Sequence, residues 1–113
     1  MISNGVDIVK IDRFNDLKDN SSFMNSIFNE KEIEYINYHD NNISTIAGMF
    51  AAKEAFLKAH KKGINNHSLK DIEISHDDNN APFIITNISD TNNVSLSISH
   101  DGEYAIAFVS VIR

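Results

Sequence analysis

Four charged or titratable side chains interrupt otherwise apolar stretches of this sequence: Asp7, Glu54, Lys58 and His100. Carboxylates are rarely buried without a partner, because removing the charge from water is costly. Two carboxylates from different elements could share a hard cation such as Mg²⁺, which takes one or two carboxylates together with water and phosphate oxygens. A nearby lysine would bind phosphate or serve as a base. The set therefore suggests phosphate chemistry on a diphosphate-bearing substrate.

The same residues also have purely structural interpretations. Asp7 can occupy the solvent-facing position of an alternating strand. A glutamate four residues before a lysine, as in Glu54 and Lys58, is the favourable order for a surface pair on a helix. Two acids alone form no metal motif. The other histidines have no ligand spacing such as HExxH and are interpreted as structural or solvated: His39, His60, His67 and His76.

The element that carries Glu54 and Lys58 is a helix predicted from Ile43 to near Gly63. This stretch has no proline and is rich in strong helix formers. One face is bulky and the opposite face is small, which predicts packing on both sides. The bulky residues are Ile43, Ile46, Met49, Phe50, Phe56 and Leu57, and the small ones are Gly48, Ala51, Ala52, Ala55 and Ala59.

Shorter elements surround this helix. Helices are predicted at Ser21–Phe28 and Glu30–His39, and Asn29 with Glu32 matches a capping box. Alternating or continuous apolar runs predict five strands, of which the last two are joined by a tight turn at Asp101-Gly102. The strands are Val6–Ile11, Asp71–Ser75, 83–88, Val94–Ser99 and Tyr104–Ile112. The order predicts an α+β fold, with an antiparallel sheet packed on one long and two or three shorter helices.

Length and composition predict one globular domain, residues 1–113, with an ordinary balance of apolar and charged residues. The absence of cysteine excludes disulfides and cysteine-ligated zinc. No apolar run is long enough for a membrane span, and the N-terminus does not resemble a signal peptide. A net charge of −6 without a basic run is unlike a nucleic-acid-binding protein. We expect a cytoplasmic protein with neither a membrane nor a nucleic-acid partner.

Three segments, spread over nearly the whole chain, form a pattern of motifs. They are GVDIVKIDR (Gly5–Arg13), FAAKEAFLKA (Phe50–Ala59) and SISHDGEYAIAFV (Ser97–Val109). In order and spacing, the sequence resembles the holo-acyl-carrier-protein synthases, a bacterial type of 4′-phosphopantetheinyl transferase. The resemblance implies that family's fold. It also implies Mg²⁺-dependent transfer of the 4′-phosphopantetheine group of coenzyme A to a serine of apo-acyl-carrier protein, with release of adenosine 3′,5′-bisphosphate.

The resemblance also implies roles for the residues that opened this section. Asp7 and Glu54 match the family's magnesium ligands. Lys58 matches a catalytic lysine near the diphosphate, which either assists proton removal or binds charge. His100 matches a catalytic position beside the coenzyme.

Further positions match residues that bind the coenzyme or the carrier protein. Ser99 precedes the matched histidine in a serine-histidine motif, and Gly63 and Pro82 match loop positions at the coenzyme site. Arg13 matches a basic position facing the acyl carrier protein. The resemblance further implies a homotrimer with its sites in the clefts between subunits.

The sequence departs from the family pattern at four places, one of which is a segment between Ile88 and Val94 that is shorter than usual and lacks a predicted helix. The usual Gly-Thr-Gly turn reads Lys61-Lys62-Gly63, the usual Gly-Lys-Pro reads Asn80-Ala81-Pro82, and Met49 stands where arginine is common. Because positive charge is lost, we expect weaker coenzyme A binding than is typical, with Lys53 or the Lys61-Lys62 pair as candidates to supply the missing charge. Two other functions stay open: a non-catalytic trimer that binds coenzyme A or carrier protein, and a small Mg²⁺-dependent nucleotide phosphohydrolase.

Overall fold

The computed structural model describes residues 1–60, 69–88 and 91–112. The α-helices are α1 (Ser21–Ile27), α2 (Glu30–Tyr38) and α3 (Ile43–His60). The strands are β1 (Ile2–Lys10), β2 (Glu73–His76), β3 (Pro82–Ile85), β4 (Val94–Asp101) and β5 (Tyr104–Ile112). None of the helices in these ranges is long and apolar enough to cross a bilayer.

The predicted α+β fold is confirmed, but the strands form two antiparallel sheets instead of one. Strands β1, β5 and β4 form a three-stranded sheet in that order, and β2 pairs with β3 in a separate hairpin. The turn between β4 and β5 is Gly102-Glu103, one residue later than expected, because Asp101 pairs with Tyr104. Gly102 takes φ 57°, a left-handed conformation that favours glycine. The predicted end of the long helix near Gly63 lies outside the described residues.

Helix α3 forms the centre of the core, as its two apolar faces predict. Every residue from Ile46 to His60 is buried except Glu54 and Lys58. The three-stranded sheet covers one side of the helix with small or β-branched side chains, so the backbones approach closely. One such close approach is at Gly5 of β1, where a Cβ atom would clash with the Ala55 carbonyl oxygen and lie 2.6 Å from the Ala59 nitrogen.

The outer face of the three-stranded sheet is apolar and exposed. The strand predicted at Val6–Ile11 begins earlier, at Ile2, and its alternation places large apolar side chains away from α3. Neighbouring side chains on β5 extend the patch, because Val6 pairs with Phe108 and Ile8 with Ile106. The large apolar residues of this outer face, each between 38 and 64% exposed, are Ile2, Val6, Ile8, Tyr104, Ile106, Phe108 and Ile112.

Candidate active site

Asp7 faces α3, so the solvent-facing interpretation of this residue is wrong. It pairs across the sheet with Ala107, whose side chain is fully buried against the helix. Lys58 Nζ lies 3.0 Å from Asp7 Oδ1 and donates a second hydrogen bond to the Val6 carbonyl oxygen at 2.9 Å. In the described part of the chain, the ion-pair partner of Lys58 is thus Asp7 and not Glu54, four residues earlier.

Glu54 lies in the same electrostatic neighbourhood. Partial burial raises the pKa of Glu54, and repulsion by the Asp7 carboxylate raises it further. Lys58 and Arg13 oppose the rise by attraction. The structure therefore brings together the two carboxylates and the lysine that the sequence singled out, from β1 and from successive turns of α3.

The two carboxylates fit a hard cation. Asp7 Oδ2 is buried and has no hydrogen-bond partner among the described residues. A bound cation would satisfy this oxygen and would relieve the repulsion between Asp7 and Glu54. No group of three or more histidine or acidic side chains suited to a metal occurs in residues 1–60, 69–88 and 91–112. Mg²⁺ typically binds through one or two carboxylates and completes its shell with water and substrate oxygens.

His100 and Pro82 meet at a cavity of about 270 Å³ between α3, β4 and the β2–β3 hairpin. His100 Nε2 lies 2.9 Å from the Ser44 carbonyl oxygen at the start of α3. The imidazole fits against the helix because residue 48 is glycine, where a Cβ atom would lie 3.0 Å from His100 Nε2. Met49 also lines the cavity, which places the departure from the family pattern beside two of the predicted coenzyme-binding residues.

The remaining predicted site residues lie elsewhere or at the edge of these clusters, and Arg13 is the one that interacts electrostatically with Glu54. Ser99 is exposed on the outer face of the sheet, because it pairs with Ile106. Arg13 is exposed, and its guanidinium lies 5.1 Å from the ring centroid of Phe50, a distance at which a cation and an aromatic ring attract. Gly63 lies outside the described residues.

Lys53 does not supply the missing phosphate charge, so that suggestion is wrong. Its side chain is fully buried and paired with Glu32, at 2.7 Å. Burial raises the pKa of Glu32 and lowers the pKa of Lys53, and their mutual attraction opposes both changes. The capping-box pattern identified Glu32 in the sequence, but no local signal pointed to its distant lysine partner. Lys61 and Lys62 lie outside the described residues.

The sequence also gave no sign of an aromatic cluster between α2 and the hairpin. The rings of Tyr35 and His76 stack with centroids 3.9 Å apart, and Tyr35 Oη donates to Asn80 Oδ1 at 2.7 Å. These three residues form a wall shared by the His100 cavity and a larger one of about 520 Å³. Burial lowers the pKa of His76, and the neighbouring His39 lowers it further.

Comparisons with known proteins identify the family of the chain. The model of the 4′-phosphopantetheinyl transferase superfamily matches residues 3–109. A holo-(acyl-carrier-protein) synthase of Finegoldia magna is 41% identical over 104 residues, covering 91% of this chain and 89% of the relative. The synthase of Caldicellulosiruptor saccharolyticus is 45% identical over 112 residues, with the same two coverages of 91% and 89%.

A solved structure extends the match to three dimensions. The Helicobacter pylori holo-(acyl-carrier-protein) synthase in complex with coenzyme A superimposes with a TM-score of 0.83 at 38% identity. The match covers 99% of this chain and all of that one. The resemblance and the fold class predicted from the sequence are confirmed. Sequence and architecture thus agree over nearly the whole length, and the chain belongs to the 4′-phosphopantetheinyl transferase superfamily.

Proposed function

We propose that this protein, as one domain of residues 1–113, transfers 4′-phosphopantetheine from coenzyme A to a serine of apo-acyl-carrier protein in a Mg²⁺-dependent reaction. Adenosine 3′,5′-bisphosphate is released. The observation that carries the proposal is the convergence of Asp7, Glu54 and Lys58, because two carboxylates and an ammonium group suit a cation and a diphosphate. The relatives named as holo-(acyl-carrier-protein) synthases, and the neighbour described with coenzyme A, support this substrate pair.

In this proposal Asp7 and Glu54 hold Mg²⁺, which when bound supplies charge neutralisation at the diphosphate and polarises the phosphorus. Two of the three ammonium donors of Lys58 are engaged by the Val6 carbonyl and Asp7, and the third is directed to a phosphate oxygen. In this proposal Lys58 binds the negative charge of the diphosphate through this third donor. His100 and Pro82 contact the coenzyme in the cavity they share.

The serine hydroxyl of the carrier attacks the β-phosphorus and gives up its proton to solvent, as the bond to the departing adenosine 3′,5′-bisphosphate breaks. The protein's contribution to this step is to position the groups and to stabilise charge, as in other phosphoryl transfers. Met49 lines the same cavity as Pro82. Because methionine carries no positive charge, we still predict weaker coenzyme A binding than in relatives with arginine at this position.

Mass spectrometry of apo-acyl-carrier protein incubated with this protein, coenzyme A and Mg²⁺ tests the function. A gain equal to the phosphopantetheine arm, abolished by EDTA, is the expected result. The carrier must be verified as apo beforehand, and a second carrier serves as a check on specificity. Binding of coenzyme A without any mass gain on either carrier would favour a non-catalytic binding trimer. Release of the bisphosphate without a carrier would favour a phosphohydrolase.

We further propose that the protein is a homotrimer with active sites between subunits. The family resemblance supplies the number three, and the apolar outer face of the sheet supports the existence of such an interface. Exposed apolar patches of this kind usually mark contact surfaces. Ser99 lies on this same face, so the predicted role of Ser99 at a coenzyme site becomes reasonable where a neighbouring subunit covers the sheet.

Phe108→Glu should break this assembly. The Phe108 side chain is 45% exposed at the middle of the outer face, so a glutamate there would be buried without a partner in an oligomer but solvated in a monomer. We expect the trimer to dissociate. Transferase activity should then fall about a hundredfold, because an active site between two subunits is incomplete in the monomer. Light scattering after size-exclusion chromatography measures the mass. Tyr38→Glu, at an exposed position of α2, is the matched control. An unchanged mass for Phe108→Glu would exclude this face as the interface.

Arg13→Glu should weaken carrier-protein docking. Arg13 is exposed and held over Phe50, and the family resemblance implies a carrier protein with an acidic surface. We expect the KM for the carrier to rise about tenfold at low salt, and the difference to shrink at high salt because exposed charges are screened. The KM for coenzyme A should hardly change. Lys31→Glu, an exposed lysine on α2, is the control. An equal carrier KM for wild type and Arg13→Glu would remove Arg13 from the docking surface.

A further inference from the structure

The β2–β3 hairpin lies outside the three-stranded sheet, yet it forms one wall of the cavity that contains His100. His76 and Pro82 face each other across the hairpin, and both line that cavity. The position of this wall therefore depends on the contacts that hold the hairpin against the helices.

A fully buried ion pair joins the hairpin to α2 and α3. Lys53 Nζ donates to Glu32 Oε1 at 2.7 Å and to the carbonyl oxygens of Leu69 and Ile72 at 2.9 and 2.7 Å. All three ammonium donors are thus used. Glu32 Oε2 accepts the amide of Ile74 in β2 at 2.9 Å. One pair of side chains therefore fixes the segment entering β2, and β2 itself, relative to two helices.

The same network includes the start of α2. Glu32 Oε1 also accepts the Asn29 amide at 3.0 Å, and the Asn29 side chain caps the helix in return at 2.9 Å. Asn29 Nδ2 then donates to Glu73 Oε1 on β2 at 2.8 Å. The first turn of α2 and the first residues of the hairpin are consequently held by one continuous set of hydrogen bonds.

A buried ion pair contributes little net stability, because the loss of hydration offsets most of the attraction between the charges. The directional hydrogen bonds around it do specify one geometry. Both side chains are 0% exposed and neither lines the His100 cavity, so neither is placed to touch a ligand there. Lys53 immediately precedes Glu54 on α3, so the same helical turn that presents the metal-binding carboxylate also anchors the hairpin.

We propose that Glu32 and Lys53 are positioning residues for coenzyme binding, which hold the β2–β3 hairpin as the wall opposite His100. The proposal rests on the transferase function proposed above. It requires that loss of the pair loosens the hairpin and weakens coenzyme A binding, while the chemical step and carrier docking change little.

Two variants test this inference. Lys53→Met removes the ammonium group, and the double variant Glu32→Gln/Lys53→Met leaves no uncompensated buried charge if the single variant folds poorly. Val111→Ala is the matched control, because it removes buried volume from β5 at the end of the sheet far from His100. All proteins are compared at a temperature where circular dichroism shows them folded.

Hydrogen exchange and coenzyme binding are the readouts. In Lys53→Met, in the double variant, or in both, we expect the backbone amides of β2 and β3 to exchange faster than in wild type, measured relative to the amides of β1 and β5. The amide of Ile74 is left out of this comparison. The Kd and KM for coenzyme A should rise about tenfold, with kcat and carrier KM within about twofold of wild type. Val111→Ala should change neither the hairpin exchange nor the coenzyme affinity.

A folded pair variant with wild-type hairpin exchange and coenzyme affinity would overturn the proposal. So would global unfolding of both variants, or a loss of affinity matched by Val111→Ala, since either result would make the pair a general stability element. If wild type itself neither binds coenzyme A nor modifies a carrier, the proposed function fails, whereas the exchange measurement still reports whether the pair positions the hairpin.

Discussion

Glu54→Gln should reduce phosphopantetheine transfer about a thousandfold and yet raise the melting temperature of the metal-free protein. Loss of a metal-binding carboxylate removes several kcal/mol of charge stabilisation in the transition state, which corresponds to this factor in rate. The metal-free protein should become more stable, because in wild type the ionised Glu54 is half-buried beside the Asp7 carboxylate. Since Glu54 remains partly solvated, we expect a gain of only about 0.5 kcal/mol, or about 2–4 °C.

The pH dependence of this gain has a defined sign. Burial and Asp7 raise the pKa of folded Glu54 above its ordinary value of 4.5. The unfavourable charge is therefore fully present at pH values above the raised pKa and disappears as the pH falls below 4.5. The difference in melting temperature between Glu54→Gln and wild type should be largest near neutral pH and shrink towards pH 4.5.

Differential scanning calorimetry with and without Mg²⁺ measures this prediction independently of activity. Mg²⁺ should raise the melting temperature of wild type, because a ligand that binds only the folded state stabilises it, and should hardly affect Glu54→Gln. Glu34→Gln, at an exposed position of α2, is the control for loss of one carboxylate. Full transfer activity in Glu54→Gln, or an equal Mg²⁺ response in both proteins, would exclude Glu54 as a metal ligand.

Gly5→Ala should destabilise the fold by about 3 kcal/mol or more, a severe case of overpacking. The added Cβ atom would meet backbone atoms of Ala55 and Ala59, which cannot rotate away as a side chain can. β1 and α3 would have to separate, and Asp7 would move away from Lys58. We therefore expect transfer activity to be lost even under conditions where the variant is folded.

Urea unfolding of Gly5→Ala, followed by circular dichroism, gives the stability change. Gly102→Ala is the matched control, since nothing lies within 4 Å of the added atom and only the left-handed backbone, at φ 57°, is unfavourable. That control should lose about 1 kcal/mol and keep its activity. Similar losses for the two variants would show that α3 shifts easily and that the close packing at Gly5 does not position the site.

Much of the fold could be predicted because it is encoded locally. The alternation of Val94–Ser99 and the turn near Gly102 predicted a hairpin that is present, and Asn29 with Glu32 forms the predicted capping box. Division of the strands into two sheets could not be predicted. It depends on which strands pair with one another, β1 with β5 and β2 with β3, and local periodicity does not contain that information.

The sequence by itself determined the two-sided helix α3, the four-residue spacing that places Glu54 and Lys58 on one side of it, and, through the order of the motifs, the family. Only the tertiary structure decided that Asp7 faces this helix and pairs with Lys58, and that Lys53 is buried against Glu32. The side chains of a strand alternate between its two faces, and this pattern alone does not say which face of β1 lies against α3. The choice is made by the contact at Gly5, because only one face of β1 can lie against the backbone of α3.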